Sequence, residues 1–258
     1  MIKNSFIFLE RVGKKLEQNI WKNGIYDWDS FLKIRKIKGL SKSRKMYYDR
    51  KVIDAKKALY NIDSSYFNDL LPQSEIWRIY EFFKEDAVFL DLETTGLNKN
   101  NNDITVFGLY DGINTKIMID GINLDYNLLK KELKKYKLIV TFNGASFDLP
   151  FVEKIYPDLI PKIPHFDVKV LANKLGLKGG LKNIEKTLGI KRTNIIEKFH
   201  GGDALTLWKM YRATNDDYYL NLLVEYNEYD LINLKIVAEY CFKKMKEKIF
   251  NEFKLSSI

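Results

Sequence analysis

An α/β fold is predicted for this chain, and three observations predict it. Apolar runs of strand length occur at 87–92, 104–110, 115–119 and 138–142. Clusters of Asn, Asp and Gly separate them, at Asn98 to Asp103 and at Asp111-Gly112. After about residue 167 the apolar residues recur at helical spacing instead. A strand meander followed by helices that cover the sheet satisfies this order.

Residues 1–80 read as a mostly helical appendage. Gly13 to Glu17 with Ile20-Trp21, then Gly24 to Trp28 with Phe31-Leu32, suggest two short helices around a Gly turn. Asp63-Ser-Ser-Tyr66 is a helix start, and Leu71-Pro72 reads as a linker. Trp77, Tyr80 and Phe83 lead into the first core strand at 87–92. The first three strands form a meander, and a helix over 126–136 crosses to the fourth strand at 138–142. Asn143-Gly144 then breaks that strand, and Ser146 to Val152 opens a helix. Further helices are expected at 167–175, 181–188, 203–213 and 217–247.

The candidate site begins at Val88-Phe-Leu-Asp-Leu-Glu-Thr-Thr-Gly96. Residues two apart on a strand share a face, so Asp91 and Glu93 project together from a buried strand's end. Two such carboxylates resist ionisation unless a cation compensates them, and Mg²⁺ or Mn²⁺ suits oxygen ligands. Asp148 falls in the first turn of the helix after the fourth strand, where an acid also complements the helix dipole. Tyr226 and Asp230 are four apart and share one helix face. Taken singly, each has an ordinary structural reading. As an ordered set, Asp-x-Glu, Asn-x-x-x-Phe-Asp and Tyr-x-x-x-Asp are hard to obtain by chance.

These segments resemble the three exonuclease motifs of the DEDD superfamily in its tyrosine-containing branch, and most nearly the YprB-like ribonuclease H-like domain. Phe89 to Leu97, Thr141 to Pro150, His165-Phe-Asp167, Gly180 to Gly189 and Glu225 to Leu234 carry the resemblance, over roughly residues 86 to 245. It implies a ribonuclease H-like mixed five-stranded sheet flanked by helices, whose fifth, edge strand has its best region at 160–167. It implies a two-metal 3′-5′ exonuclease with Asp91, Glu93, Asp148 and Asp230 as ligands to two Mg²⁺ or Mn²⁺ ions. Tyr226 would orient the attacking water. Thr94 and Thr95 would approach the terminal nucleotide, Leu97 would wedge against its base, and Asn143 would line the strand channel, though Asn143 also suits a turn before Gly144. The histidine-type site needs a His at position 225, which is Glu225. His165 has too few companions for zinc, and His200 precedes Asp203, a natural helix cap. An endonuclease of hybrids or branched structures on the same fold, and an inactive nucleic-acid-binding module, remain the alternatives; the intact carboxylates disfavour the second.

Composition sets the bounds. A hydrophobic fraction of 46% supports a true core. The single cysteine, Cys241, excludes an internal disulfide and a thiolate zinc cluster. No apolar run reaches membrane-span length, and Glu10 interrupts the apolar start too early for a signal peptide. A cytoplasmic protein with nucleic acid, not membrane, as partner is expected. Residues 1–80 hold 17 Lys+Arg against 9 Asp+Glu, so 8 of the net +9 lie there, densest from Lys33 to Lys51. A solvated helix face would explain this run; a bound phosphate backbone gives a stronger reason for it. Lys33, Arg35, Lys36 and Lys38 are therefore candidate backbone contacts. The expected division is a basic helical region over 1–80 and the exonuclease part over 81–258.

Overall fold

A computed structural model of the chain describes residues 1–198 and 203–255. His200 lies outside them. Five strands, β1 (Ala87–Thr94), β2 (Ile104–Tyr110), β3 (Thr115–Ile119), β4 (Leu138–Thr141) and β5 (His165–Asp167), form one mixed sheet in the order β3-β2-β1-β4-β5. β1 pairs antiparallel with β2 and parallel with β4; β4 pairs parallel with β5 at the edge. The edge strand thus falls within the 160–167 region expected for it.

Helix α5 (Tyr126–Leu133), capped by the Asp125 side chain on the Leu128 amide at 2.8 Å, carries the chain from β3 across to β4. Helix α6 (Asp148–Ile155) then returns it to β5. Alternation sorts the strand residues between two layers. Val88, Leu90 and Leu92 of β1 pack with Leu129, Leu133, Phe151 and Val152 on the α5–α6 side. Ala87 and Phe89 face the other way, into a core with Leu231, Leu234, Val237 and Cys241. Burying side chains of this size contributes about 1.5–3 kcal/mol each. Those residues belong to α11 (Asp217–Leu255), a 39-residue helix that packs across β1, β2 and β3. Asp91 and Glu93, of the same parity as Phe89, therefore turn toward α11. Among the described residues no helix is long and apolar enough to cross a membrane.

The N-terminal region holds α1 (Lys14–Lys22), α2 (Trp28–Lys33) and α3 (Lys42–Tyr60), with Gly24 at φ 77° making the turn between the first two. Its apolar residues join the α11-side core without a break, and Leu71, expected as part of a linker with Pro72, is itself buried in that core. A buried ionic knot ties the region together. Arg78 Nε donates to Glu75 at 2.8 Å, Arg78 Nη2 meets Glu17 at 3.1 Å, and Lys174 of α7 (Val168–Lys174) donates to Glu75 at 3.0 Å. Burial pushes the Glu17 carboxyl up, against the pull of Arg78. Burial acts on Glu75 likewise, but Arg78 and Lys174 bring it below its ordinary value.

Candidate active site

Pairing of β1 with β4 ends at Phe89 and Val140, so the last turn of β1 projects beyond its neighbour. Asp91 and Glu93 stand on that projecting end, half-buried. Across the ladder Asp91 pairs with Gly108 of β2. A Cβ on Gly108 would sit 1.9 Å from Asn227 Oδ1, so only glycine lets α11 come this close. The approach brings the Asn227 side chain onto the site, where its Nδ2 donates to Asp91 Oδ2 at 2.8 Å.

One turn along α11, Asp230 completes a cluster: ligand oxygens of Asp91, Glu93 and Asp230 all lie within 4.8 Å of one another. Asp148 arrives from the opposite layer as the first residue of α6, where its Oδ1 accepts from the Leu92 amide at 3.2 Å. That amide lies beyond the end of the β1–β4 ladder, so Asp148 satisfies a donor the sheet leaves over. Thr141 Oγ1 lies 3.0 Å from the Gly144 amide, and a Cβ on Gly144 would come within 2.1 Å of that oxygen. Gly144 therefore permits the tight turn that aims α6 at the strand end.

Electrostatics marks the cluster as short of positive charge. Burial raises the Asp91 and Glu93 carboxyls well above their usual range, and repulsion from Asp230 and Asp148 adds to it. Asp148 is pushed up to about 7, by burial first and by Asp167 and Asp230 next, against the stabilising backbone hydrogen bonds. Asp230 is raised by burial although Arg192 pulls it down. A folded-state pKa above the unfolded value gives stability that is present below the unfolded value and lost as pH rises through the folded one. The metal-free protein should thus melt at least about 3 °C lower at pH 8 than at pH 6.5. Added Mn²⁺ should restore it at pH 8. The window avoids the opposite slope from His165, whose imidazole is lowered to about 4 by burial and which loses stability as pH falls below 6.5. Melting curves in EDTA check this; a flat profile would exclude the charge deficit.

The remaining residues singled out by the sequence are spread over several elements. Tyr226, 7% exposed, stands on the Asp230 face of α11 with Lys182 Nζ 4.4 Å above its ring and the Arg192 guanidinium 5.8 Å away. At the hairpin after β1, Thr94 Oγ1 donates to the Gly96 carbonyl at 2.8 Å, Thr95 Oγ1 accepts from the Asp103 amide at 2.9 Å, and Leu97 is 86% exposed. Asn143 adopts φ 67° before Gly144, as a turn residue does, and its Oδ1 accepts from Lys169 Nζ at 3.1 Å. Lys33, Arg35, Lys36 and Lys38 are exposed on the end of α2 and the turn leading to α3. Lys45, in the same basic run, is instead buried against Asp49 and the Phe31 ring. His165 is held by Thr141, 2.8 Å from its Nε2, and by Gln73, as a buried structural histidine.

Four residues at the site have no role in the sequence reading, although Glu185 and Asn227 lie within its motif segments. Asn227 is a fully buried asparagine next to Tyr226, signalled only by a polar residue on an apolar helix face. Gly108 interrupts an otherwise bulky strand. Glu185 and Arg192 form a buried pair, and Arg192 Nη2 also donates to Asp230 Oδ1. Nothing distinguishes Arg192 by sequence among so many basic residues.

A mixed sheet of this order, with acidic side chains gathered at the end of its central strand and a long helix crossing the face, is the ribonuclease H-like architecture. A family profile described as the RNase H superfamily matches residues 88–242, and the chain belongs to that superfamily. Among solved structures, it is similar to the family B DNA polymerase from the hyperthermophilic archaeon Pyrobaculum calidifontis, at 12% identity over 60% of this chain and 24% of the polymerase, with a TM-score of 0.48. The chain thus spans about a quarter of that polymerase's length. It is also similar to Brucella melitensis NrnC with bound Mg²⁺, at 24% identity over 62% of this chain and 82% of NrnC, TM-score 0.35. The same protein bound to pGG gives 24% identity, 62% and 81% coverage and a TM-score of 0.34. No curated protein matches the chain.

Proposed function

We propose that the protein is a metal-dependent 3′-5′ exonuclease of the tyrosine-containing DEDD type, acting on nucleic acid through two Mg²⁺ or Mn²⁺ ions. The convergence of Asp91, Glu93 and Asp230 within 4.8 Å carries the reading, with Asp148 beside them. The donor set fits the group: only hard oxygens, half-buried and mutually repelling, with their pKa values raised for want of a cation. When bound, the ions supply a water of lowered pKa and a positive charge opposite the leaving 3′ oxygen.

The chain's own residues do the rest. Asp91, Glu93, Asp148 and Asp230 hold the ions, and Asn227 fixes the Asp91 carboxylate. Burial, then the charge of Asp230, raises the Tyr226 phenol above its ordinary value, so it stays protonated and acts as a donor that orients water, not as a base. The hydroxyls of Thr94 and Thr95 shape the hairpin against the terminal nucleotide, and exposed Leu97 at its tip offers an apolar surface to the last base. Asn143 lines the strand channel. Residues 1–80 serve as the basic backbone-holding part and 81–258 as the exonuclease part.

The test uses end-labelled strands with Mg²⁺ or Mn²⁺. A free 3′ end should be degraded, a 3′-blocked strand or a closed circle should resist, and a 5′ block should make no difference. Nicking of circles would replace this reading with an endonuclease. Tyr226→Phe should keep Mn²⁺ binding but slow turnover by about 10²-fold, the low end of the contribution from a positioned proton-handling group; unchanged turnover would make the tyrosine merely structural. Replacing Lys33, Arg35, Lys36 and Lys38 together with Ala should weaken binding alike for all sequences and flatten its salt dependence by up to about four phosphate contacts. An unaltered salt slope would assign the basic run to solubility instead.

A further inference from the structure

The Arg192 guanidinium has no part in the motifs that define the site, yet it touches one of the carboxylates. Helix α8 (Leu181–Leu188) ends at Gly189 in the left-handed region, φ 72°. The Ile190 amide donates back to the Glu185 carbonyl at 2.9 Å and the Gly189 amide to the Lys186 carbonyl at 3.2 Å. This closure reverses the chain and lays Arg192 back along α8 onto Glu185. Its Nε donates to Glu185 Oε2 at 2.7 Å and its Nη2 to Glu185 Oε1 at 2.5 Å, a fork that fixes the plane of the guanidinium. Both side chains are 3% exposed. The same Nη2 also donates to Asp230 Oδ1.

We propose that Glu185 and Arg192 form a clamp that positions Asp230 for the metal ions, so that Arg192 is a positioning residue of the site. The inference rests on the metal-site reading above. A carboxylate has two oxygens, so Asp230 can keep one on Arg192 while the other serves the cluster. Without the clamp Asp230 sits on a helix facing three other acids and would rotate away from them. Glu185 lets the clamp serve as an orienter. By taking two of the guanidinium donors, it ties Arg192 to α8 and keeps it from moving further in among the acids as a substitute cation. A hydrogen-bonded partner behind a ligating carboxylate is a general way to set its orientation and metal affinity.

Mn²⁺ binding by the full chain, followed by the loss of the free-ion paramagnetic resonance signal, tests this without reference to catalysis. Glu185→Gln/Arg192→Gln removes both charges and leaves neither buried partner ionised alone. It should weaken Mn²⁺ binding by about tenfold or more, and a melting curve in EDTA checks that the variant is folded. Arg192→Lys, which keeps a charge but cannot bridge two carboxylates with a fork, should recover part of the affinity. Should the double variant fail to fold, Arg192→Lys alone decides: weaker Mn²⁺ binding than wild type supports the clamp, and wild-type affinity overturns it. Wild-type affinity in a folded double variant would reduce Arg192 to a structural ion pair, and tighter binding would make it a competitor of the metal; either overturns the clamp. No Mn²⁺ binding by the wild type would overturn the metal-site reading itself, a failure separate from the other two.

Discussion

Asp91→Asn is expected to lower nuclease activity by about 10³-fold or more, since loss of a metal-bound charge removes several kcal/mol of transition-state stabilisation. The same change should raise the melting temperature in EDTA. Asp91 is one of four buried or half-buried acids that repel one another, and its carboxyl is already pushed well up by burial and by Asp230. An amide of the same shape can still face Asn227, while the repulsion falls. Activity and metal-free stability should therefore move in opposite directions, which a simple folding defect does not produce. A nuclease assay and a melting curve on one preparation suffice. Wild-type cleavage by this variant would remove the assigned centre.

Gly108→Ala is expected to be the most damaging substitution of one methyl group in the sheet. The added Cβ would lie 1.9 Å from Asn227 Oδ1 and 2.8 Å from Leu231 Cδ1, both on α11. Neither neighbour can yield easily, because Asn227 and Leu231 are completely buried. Overpacking of this kind costs about 1–3 kcal/mol, so the melting temperature should fall by about 2–10 °C. Relief requires Asn227 or the whole helix to move. Movement of Asn227 releases Asp91, and movement of the helix carries Asp230 away, so metal affinity should fall as well. Wild-type melting and Mn²⁺ affinity in Gly108→Ala would show that the close approach of α11 to β2 has no role in the site.

Much of the fold is legible because its signals are local. The runs that became β1, β2 and β4 are short and strongly apolar, bounded by turn residues, and largely buried, whereas β3 is only partly buried. The edge strand β5 spans only three residues, His165–Asp167, too few to show a period, so it could be expected only as a region. The N-terminal region shows the opposite limit. Its first two helices show as apolar pairs on either side of a Gly turn, whereas the helix start expected at Asp63 opens only a three-residue 3-10 turn, Ser65–Phe67. The knot of Glu17, Glu75, Arg78 and Lys174 joins residues up to 157 positions apart and has no sequence signature.

The sequence by itself determined the α/β class, the strand that bears Asp91 and Glu93, and the helix face shared by Tyr226 and Asp230. Strand alternation and helical periodicity are properties of the backbone, so spacing alone conveys them. Tertiary structure decided which acids meet and what stands behind them. Asp148 comes from the opposite layer onto the Leu92 amide, between Asp91 and Glu93 in sequence, at the open end of β1. Asn227 reaches Asp91 because Gly108 has no side chain in the way. Arg192 reaches Asp230 because Gly189 turns the chain back along α8. Each is a contact between distant segments, set by packing and by the demand that every buried polar group find a partner, and spacing carries no record of such contacts.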